Sequence, residues 1–308
     1  MATVLITGGT GMIGTALTRL LLDRGYQVVI LSRSPPHGST NPNLRYAAWL
    51  PDNQTIDTKA VQEADYIVNL AGAAIGDKRW TAARKKEIVD SRVNSATTLV
   101  KALKETPNKV KAVVQAAGTD WYPKDPAIPN PKPFIETDPH GQHFLGRFCE
   151  QWEGSIQPVT ALGKRLVILR TGLVVSKTGG AMDRFEKPVR FGFAAILSSG
   201  EQMISWIHID DLCRLYLHAI ETEQLQGVFN AVAPGPVSNK TLMLELAQLI
   251  TGRFYMPIHV PAFALKMMYG ELGAALLKST TVSCEKISRT GFQFLYPAIE
   301  TALFKLRE

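Results

Sequence analysis

The residues whose types and spacing could do chemistry stand at the start of the chain. Gly8, Gly11 and Gly14 lie three apart within Gly8-Gly9-Thr10-Gly11-Met12-Ile13-Gly14. Glycines at this spacing let the backbone turn tightly, let a pyrophosphate approach it, and let a helix pack closely on the strand before it. The bare amides of such a helix start, with Thr10, Met12 and Ile13 in the turn, hold phosphates. Roughly 20 residues further on, at the end of a second apolar run, an NAD-selective site places an acid for the ribose hydroxyls. This chain has Arg33 there. A guanidinium pairs with a 2′-phosphate in a forked geometry, whereas a carboxylate repels it, so the predicted cofactor is NADP(H).

Two further stretches fit that reading. Asp65-Tyr66-Ile67-Val68-Asn69-Leu70 reads as a buried strand, and Leu70, Ala71 and Gly72 are candidate cofactor contacts because small residues at a strand end allow close approach to a bound adenosine. Ala116 and Ala117, at the end of the next apolar run, are candidates for the same reason of position, since open parallel sheets bind ligands at the carboxyl ends of their strands.

A hydride-transferring site also needs a proton donor, commonly a Tyr with a Lys four positions later, the cation bringing a phenol of ordinary pKa about 10 into range. None of the eight tyrosines here is followed by Lys at the fourth position. Tyr122, on the loop after the fifth strand, is the first candidate for a rearranged donor, with Thr119, Asp120 and Glu136 as others. His208 reads as a packed, hydrogen-bonded residue, and no His/Cys/Asp/Glu spacing suggests a metal.

The elements that must position these residues alternate. Apolar runs at 3–7, 27–31, 44–50, 65–70, 110–116 and 166–175 are strand candidates, separated by segments of helical period. The clearest of these helices covers 80–103 and has Thr81 as its N-cap candidate, and another runs from about 143 to 153. Asp210 or Asp211 is the cap candidate for a helix running to Ile220. This order predicts an α/β fold, a Rossmann-type doubly wound parallel sheet over residues 1–226 with cleft-forming insertions after about 175. Proline-punctuated short helices over 227–308 predict a smaller, mainly helical lobe covering the cleft. Pro123 to Pro139 reads as a long surface loop.

At 308 residues the chain is long enough for one large α/β unit with an appended lobe. Its net charge of +7 is dispersed, so nucleic acid is not needed to explain it. A denser basic group, Lys78, Arg79, Arg84, Lys85 and Lys86, could attract an anionic substrate, although such clusters are usually solvated helix faces. Cys149, Cys213 and Cys284 are widely separated, as expected of reduced thiols. The first strand begins almost at Met1, with no signal peptide before it, and no apolar run reaches the ~20 residues of a membrane span. These features predict a soluble cytoplasmic protein with a small-molecule substrate, and they leave an oligomer or protein partner open.

With these residues in place, the chain resembles the extended short-chain dehydrogenase/reductase superfamily, and more closely its atypical YfcH-like epimerase family branch with a C-terminal domain of unknown function. Beyond the glycine turn, the resemblance rests on Asn69-Leu70-Ala71-Gly72, Arg79-Trp80-Thr81, Asp90-Ser91-Arg92, Trp152-Glu153, Trp206-Ile207-His208-Ile209-Asp210-Asp211 and Gly227-Val228-Phe229-Asn230-Ala231. It implies an NADP-binding Rossmann-type fold and places Ser91 and Arg92 near the cofactor or its cleft. Relatives in the wider superfamily act on nucleotide sugars and similar compounds as epimerases, dehydratases and reductases. Their Tyr and Lys align approximately with Leu145 and Cys149, and a serine frequent after the fifth strand aligns with Ala117. Two expectations follow: an oxidoreductase or epimerase with a rearranged acid, or a non-catalytic NADP(H)-binding regulatory or redox-sensing protein.

Overall fold

Strand β1 (Thr3–Thr7) is buried throughout, and its central residues are apolar because both its faces are covered. Val4 and Ile6 share a core with Leu17 and Leu21 of helix α1 (Met12–Asp23), while Leu5 points to the opposite core with Val61, Ala96 and Leu99. The computed structural model describes residues 1–36 and 38–307. After α1 come β2 (Gln27–Ser32), β3 (Leu44–Leu50), β4 (Thr55–Ile56), α2 (Thr58–Glu63), β5 (Tyr66–Asn69), α3 (Ala82–Glu105), β6 (Ala112–Gly118), α4 (Phe144–Ile156) and β7 (Arg165–Thr171). The main sheet has the order β12-β7-β6-β5-β1-β2-β3-β4, parallel except for the short β4 (β12 is Gly227–Ala231). The chain builds outward from β1 through β2 and β3, then returns to β1's other side with β5. This reversal leaves a crevice at the carboxyl ends of β1 and β5.

The predicted α/β class and doubly wound sheet match the observed architecture, with three local differences. The apolar run 166–175 is two strands, because Gly172 turns the chain out of the sheet. A Cβ there would lie 2.4 Å from the Ser205 carbonyl oxygen. β8 (Leu173–Val175) then pairs with β11 (Trp206–His208). The segment 227–231 is the edge strand β12 beside β7 and not the start of the helical lobe. Asn230 makes it a weak strand candidate by propensity, yet here its amide is buried and hydrogen-bonded. The cap of α6 (Ile209–Glu221) is His208, whose Nδ1 accepts from the Asp210 amide at 3.2 Å. Asp211 is buried and instead accepts from the Leu295 and Tyr296 amides at 2.8 and 2.9 Å.

The second lobe draws on two stretches of sequence. α5 (Met182–Arg190), β9 (Phe193–Leu197) and β10 (Met203–Ile204) come before β11. β13 (Val237–Ser238), α7 (Asn239–Thr251), β14 (Met256–Val260), α8 (Ala262–Tyr269), α9 (Glu271–Ala275), α10 (Glu285–Ser288) and α11 (Ile299–Lys305) come after β12. Met182, Val189, Ile196, Trp206, Leu242, Leu246 and Leu303 share its core. A strap at 279–283 then runs back against the loop after β6. There the buried carboxylate of Asp125 accepts from Ser279 Oγ and Thr281 Oγ1 at 2.8 Å, and from the Thr281 amide and Asn130 Nδ2 at 3.0 Å. The Pro123–Pro139 loop is thus anchored at its base by long-range bonds, although much of it faces solvent.

Candidate functional site

Gly8 ends β1 at φ +66°, and a Cβ there would approach the Leu70 carbonyl carbon to 2.9 Å. Gly14 lies on the inner side of the first turn of α1, where a Cβ would sit 2.3 Å from the Gly8 oxygen. Only glycine lets the helix close on the turn this tightly. Gly11 caps α1 without a side-chain bond, so the first-turn amides of Met12, Ile13 and Gly14 open toward the crevice uncovered by a side chain.

A buried polar chain fixes the neighbouring loop. Thr7 Oγ1 donates to Asn69 Oδ1 at 2.5 Å and accepts from the Leu70 and Ala71 amides, both at 3.1 Å. Ser95 Oγ donates to the same Asn69 oxygen at 2.7 Å, and Asn69 Nδ2 donates to Gln115 Oε1 at 2.8 Å. The ends of β1, β5 and β6 are thereby held in register at the crevice. Ser91 and Arg92 support the loop from below: Ser91 Oγ accepts from the Ala73 amide at 3.0 Å, and Arg92 Nη1 donates to the Ala73 carbonyl at 2.9 Å. The Arg92 guanidinium lies 4.8 Å from the Trp152 ring, and burial brings its pKa down to about 10. Gly72 packs on this guanidinium, with Cζ 2.6 Å from where a Cβ would be.

The structure therefore brings Gly8, Thr10, Gly11, Met12, Ile13, Gly14, Leu70, Ala71 and Gly72 to one crevice, with Arg92 beneath its wall. Arg33 follows the end of β2, exposed and in no ion pair among the described residues. Ala116 and Ala117 are buried on opposite faces of β6, Ala116 with Leu145 and Cys149, Ala117 with Leu5 and Leu99. Sequence reasoning missed the turn at Gly179 and Gly180. Their φ values of +78° and +73° lay the backbone against Met12, and adjacent glycines were its only signal.

The proton-donor candidates are placed very differently. Tyr122 is 0% exposed, its hydroxyl donating to Asn230 Oδ1 at 2.6 Å and accepting from Arg170 Nη1 at 3.1 Å. Burial pushes its pKa up to about 12. The phenol sits in a closed network and not on a cleft wall. Glu136 is tied to the same network, its Oε1 accepting from the Asn230 amide at 2.9 Å. Tyr122→Phe is expected to lower stability by about 1–3 kcal/mol, the usual cost of leaving buried partners unsatisfied, with NADPH affinity unchanged. Thermal unfolding beside a cofactor titration checks this, and an unchanged melting temperature would contradict it.

Leu145 and Cys149 are both buried residues of α4, and burial raises the Cys149 thiol well above its ordinary range. Thus neither residue that the resemblance sets against the Tyr and Lys carries a hydroxyl or an amine. Much of the basic group at the start of α3 is engaged locally. Arg84 bonds the Ala74 carbonyl and pairs with Glu87 at 2.6 Å, Lys86 pairs with Asp90, and Lys85 pairs with Glu271. Thr81 caps α3 as its sequence suggests, accepting from the Arg84 amide at 3.1 Å.

A second opening of about 510 Å³ lies above α4, between Trp80 and the α8–α9 end of the lobe. His143, Phe144 and Leu145 line one side and Lys266, Leu277 and Lys278 the other. Lys278 is 14% exposed; its Nζ donates to the Tyr122 carbonyl at 3.0 Å and stands 3.5 Å from His143 Nε2 and 3.7 Å from Asp120 Oδ1. Burial, reinforced by Lys278, lowers the His143 pKa. Lys278 is far from the other members in sequence, and no spacing marks it.

The model of the NAD dependent epimerase/dehydratase family matches residues 4–147, and that of a domain of unknown function, DUF1731, matches 260–306. Epimerase family protein SSP1921 of Staphylococcus saprophyticus is 34% identical over 301 residues, covering 97% of both chains. The chain belongs to the epimerase family. Another member, human epimerase family protein SDR39U1, is 33% identical over 304 residues, covering 97% of this chain and 98% of its own. The crystal structure of human SDR39U1 with NADPH superposes at a TM-score of 0.85 and 30% identity, covering 99% of this chain and 98% of that one. No described helix of this epimerase family member is long and apolar enough to cross a membrane. Among its described residues, no group of three His, Cys, Asp or Glu could hold a metal.

Proposed function

We propose that this epimerase family protein binds NADP(H) at the α1 crevice and acts as an oxidoreductase or epimerase on a small substrate. The carrying observation is the cradle itself: uncapped first-turn amides of α1, closed by Gly8 and Gly14, beside the fixed Leu70–Gly72 loop. A diphosphate fits these amides, and Arg33 offers the forked donor for a 2′-phosphate. The NADPH in the human SDR39U1 structure supports the same cofactor here. When bound, NADP(H) supplies or accepts a hydride. The chain's own residues position it: the Asn69–Gln115 chain holds the strand ends, and Arg92 supports the loop.

A second reading, a non-catalytic NADP(H)-binding regulatory or redox-sensing protein, is favoured by the buried, apolar Leu145 and the buried Cys149. Enhancement of NADPH fluorescence on titration tests cofactor binding, and its absence would remove both readings. A screen of carbonyl compounds and nucleotide sugars, followed by NADPH absorbance and product analysis, separates them. Turnover supports the enzyme, and binding without turnover supports the regulator.

A further inference from the structure

The opening above α4 has a definite chemistry. Three lysines, Lys124, Lys266 and Lys278, line it together with His143. Among the described residues, the only acid lining it is Glu271, which is paired with Lys85. Asp120 stands nearby at 3.7 Å from Lys278. α4 starts here without a side-chain cap, so its positive end adds to the field. A recess with low-dielectric walls and an excess of one charge concentrates ligands of the other. One wall is apolar: Trp80 and Phe144 meet edge to face at 5.3 Å, next to Leu145.

We propose that this opening binds a small organic anion, with Lys278 of the C-terminal lobe gripping its charged oxygen and its apolar end lying toward Trp80 and Phe144. The proposal rests on the cofactor reading only in that both sites open at the same, carboxyl, end of the sheet. Lys278 suits the role because just one of its three donors is committed at a short distance, to the Tyr122 carbonyl. Its approaches to His143 and Asp120, at 3.5 and 3.7 Å, are long enough to be exchanged for a ligand oxygen without breaking the first bond. The ammonium is held in place before a ligand arrives. This gives the DUF1731 segment, residues 260–306, a chemical task in the cleft.

The test uses the full chain saturated with NADP⁺ and three probes measured by calorimetry: phenylpyruvate, phenyl phosphate and the neutral phenylacetone. At least one anion is expected to bind about tenfold or more above phenylacetone, the value of one charge-assisted hydrogen bond. The anion that binds separates carboxylate from phosphate. Lys278→Met is expected to abolish that preference and Lys278→Arg to retain it, with NADPH affinity unchanged in both. Equal binding of the neutral probe, an undiminished preference in Lys278→Met, or no binding of either anion would overturn the proposal. Loss of NADPH binding by the unsubstituted protein would instead remove the cofactor reading, and the anion preference would then be measured without NADP⁺.

Discussion

An Arg33→Asp variant is expected to lose about 100-fold in NADPH affinity while NADH affinity stays within about threefold, because the change removes one forked charge-assisted interaction and adds a repulsive charge. The carboxylate would also offer an acceptor to the ribose hydroxyls of NADH. Arg33 is exposed at the end of β2, in no ion pair among the described residues, so the melting temperature should hold and the effect should reside in binding. Fluorescence titrations with both nucleotides decide it. Equal losses for the two would show that Arg33 does not read the 2′-phosphate, and would return the preference to another part of the crevice.

Glu153→Ala carries the largest expected cost in stability. Glu153 and Arg170 are 5% and 2% exposed and form a two-pronged pair at 2.8 and 2.9 Å. The guanidinium also lies 3.7 Å from the Trp121 ring and donates to the Tyr122 oxygen and the Glu136 carbonyl, both at 3.1 Å. Removing the carboxylate leaves a buried, uncompensated charge, with a loss of about 3–5 kcal/mol. In a chain of this size that corresponds to a fall of roughly 5–8 °C in melting temperature. The double replacement Glu153→Leu with Arg170→Met should recover much of the loss, since it removes both charges together. A single variant within about 1 kcal/mol of the parent protein would show that water or another group neutralises Arg170.

The sequence was most informative where function depends on backbone. Gly8, Gly14 and Gly72 are legible because a methyl group at each would collide with a neighbour at under 3 Å. Thr81 is legible because its cap bond spans only three residues. Pairings across the chain were not legible. Trp152-Glu153 and Arg170 stand out as residues, but nothing in their spacing says that they meet. Tyr122 shows the same limit. A tyrosine in the loop after β6 reads from sequence as a candidate acid, but Asn230 and Arg170, 108 and 48 residues away, enclose its hydroxyl. Lys278 reaches the cleft from 156 residues beyond Tyr122, which no local pattern could announce.

The strap held by Asp125 has a consequence for cooperativity. The carboxylate takes three of its four bonds from Ser279 and Thr281, and the edge strand β12 supplies Asn230 to the Tyr122 network. A fragment ending at 226 would keep Asp125 and Tyr122 and lose these partners, leaving buried polar groups that neither piece satisfies alone. The two lobes therefore do not melt as separate units: heating should produce one absorption peak, with the ratio of calorimetric to van't Hoff enthalpy near unity.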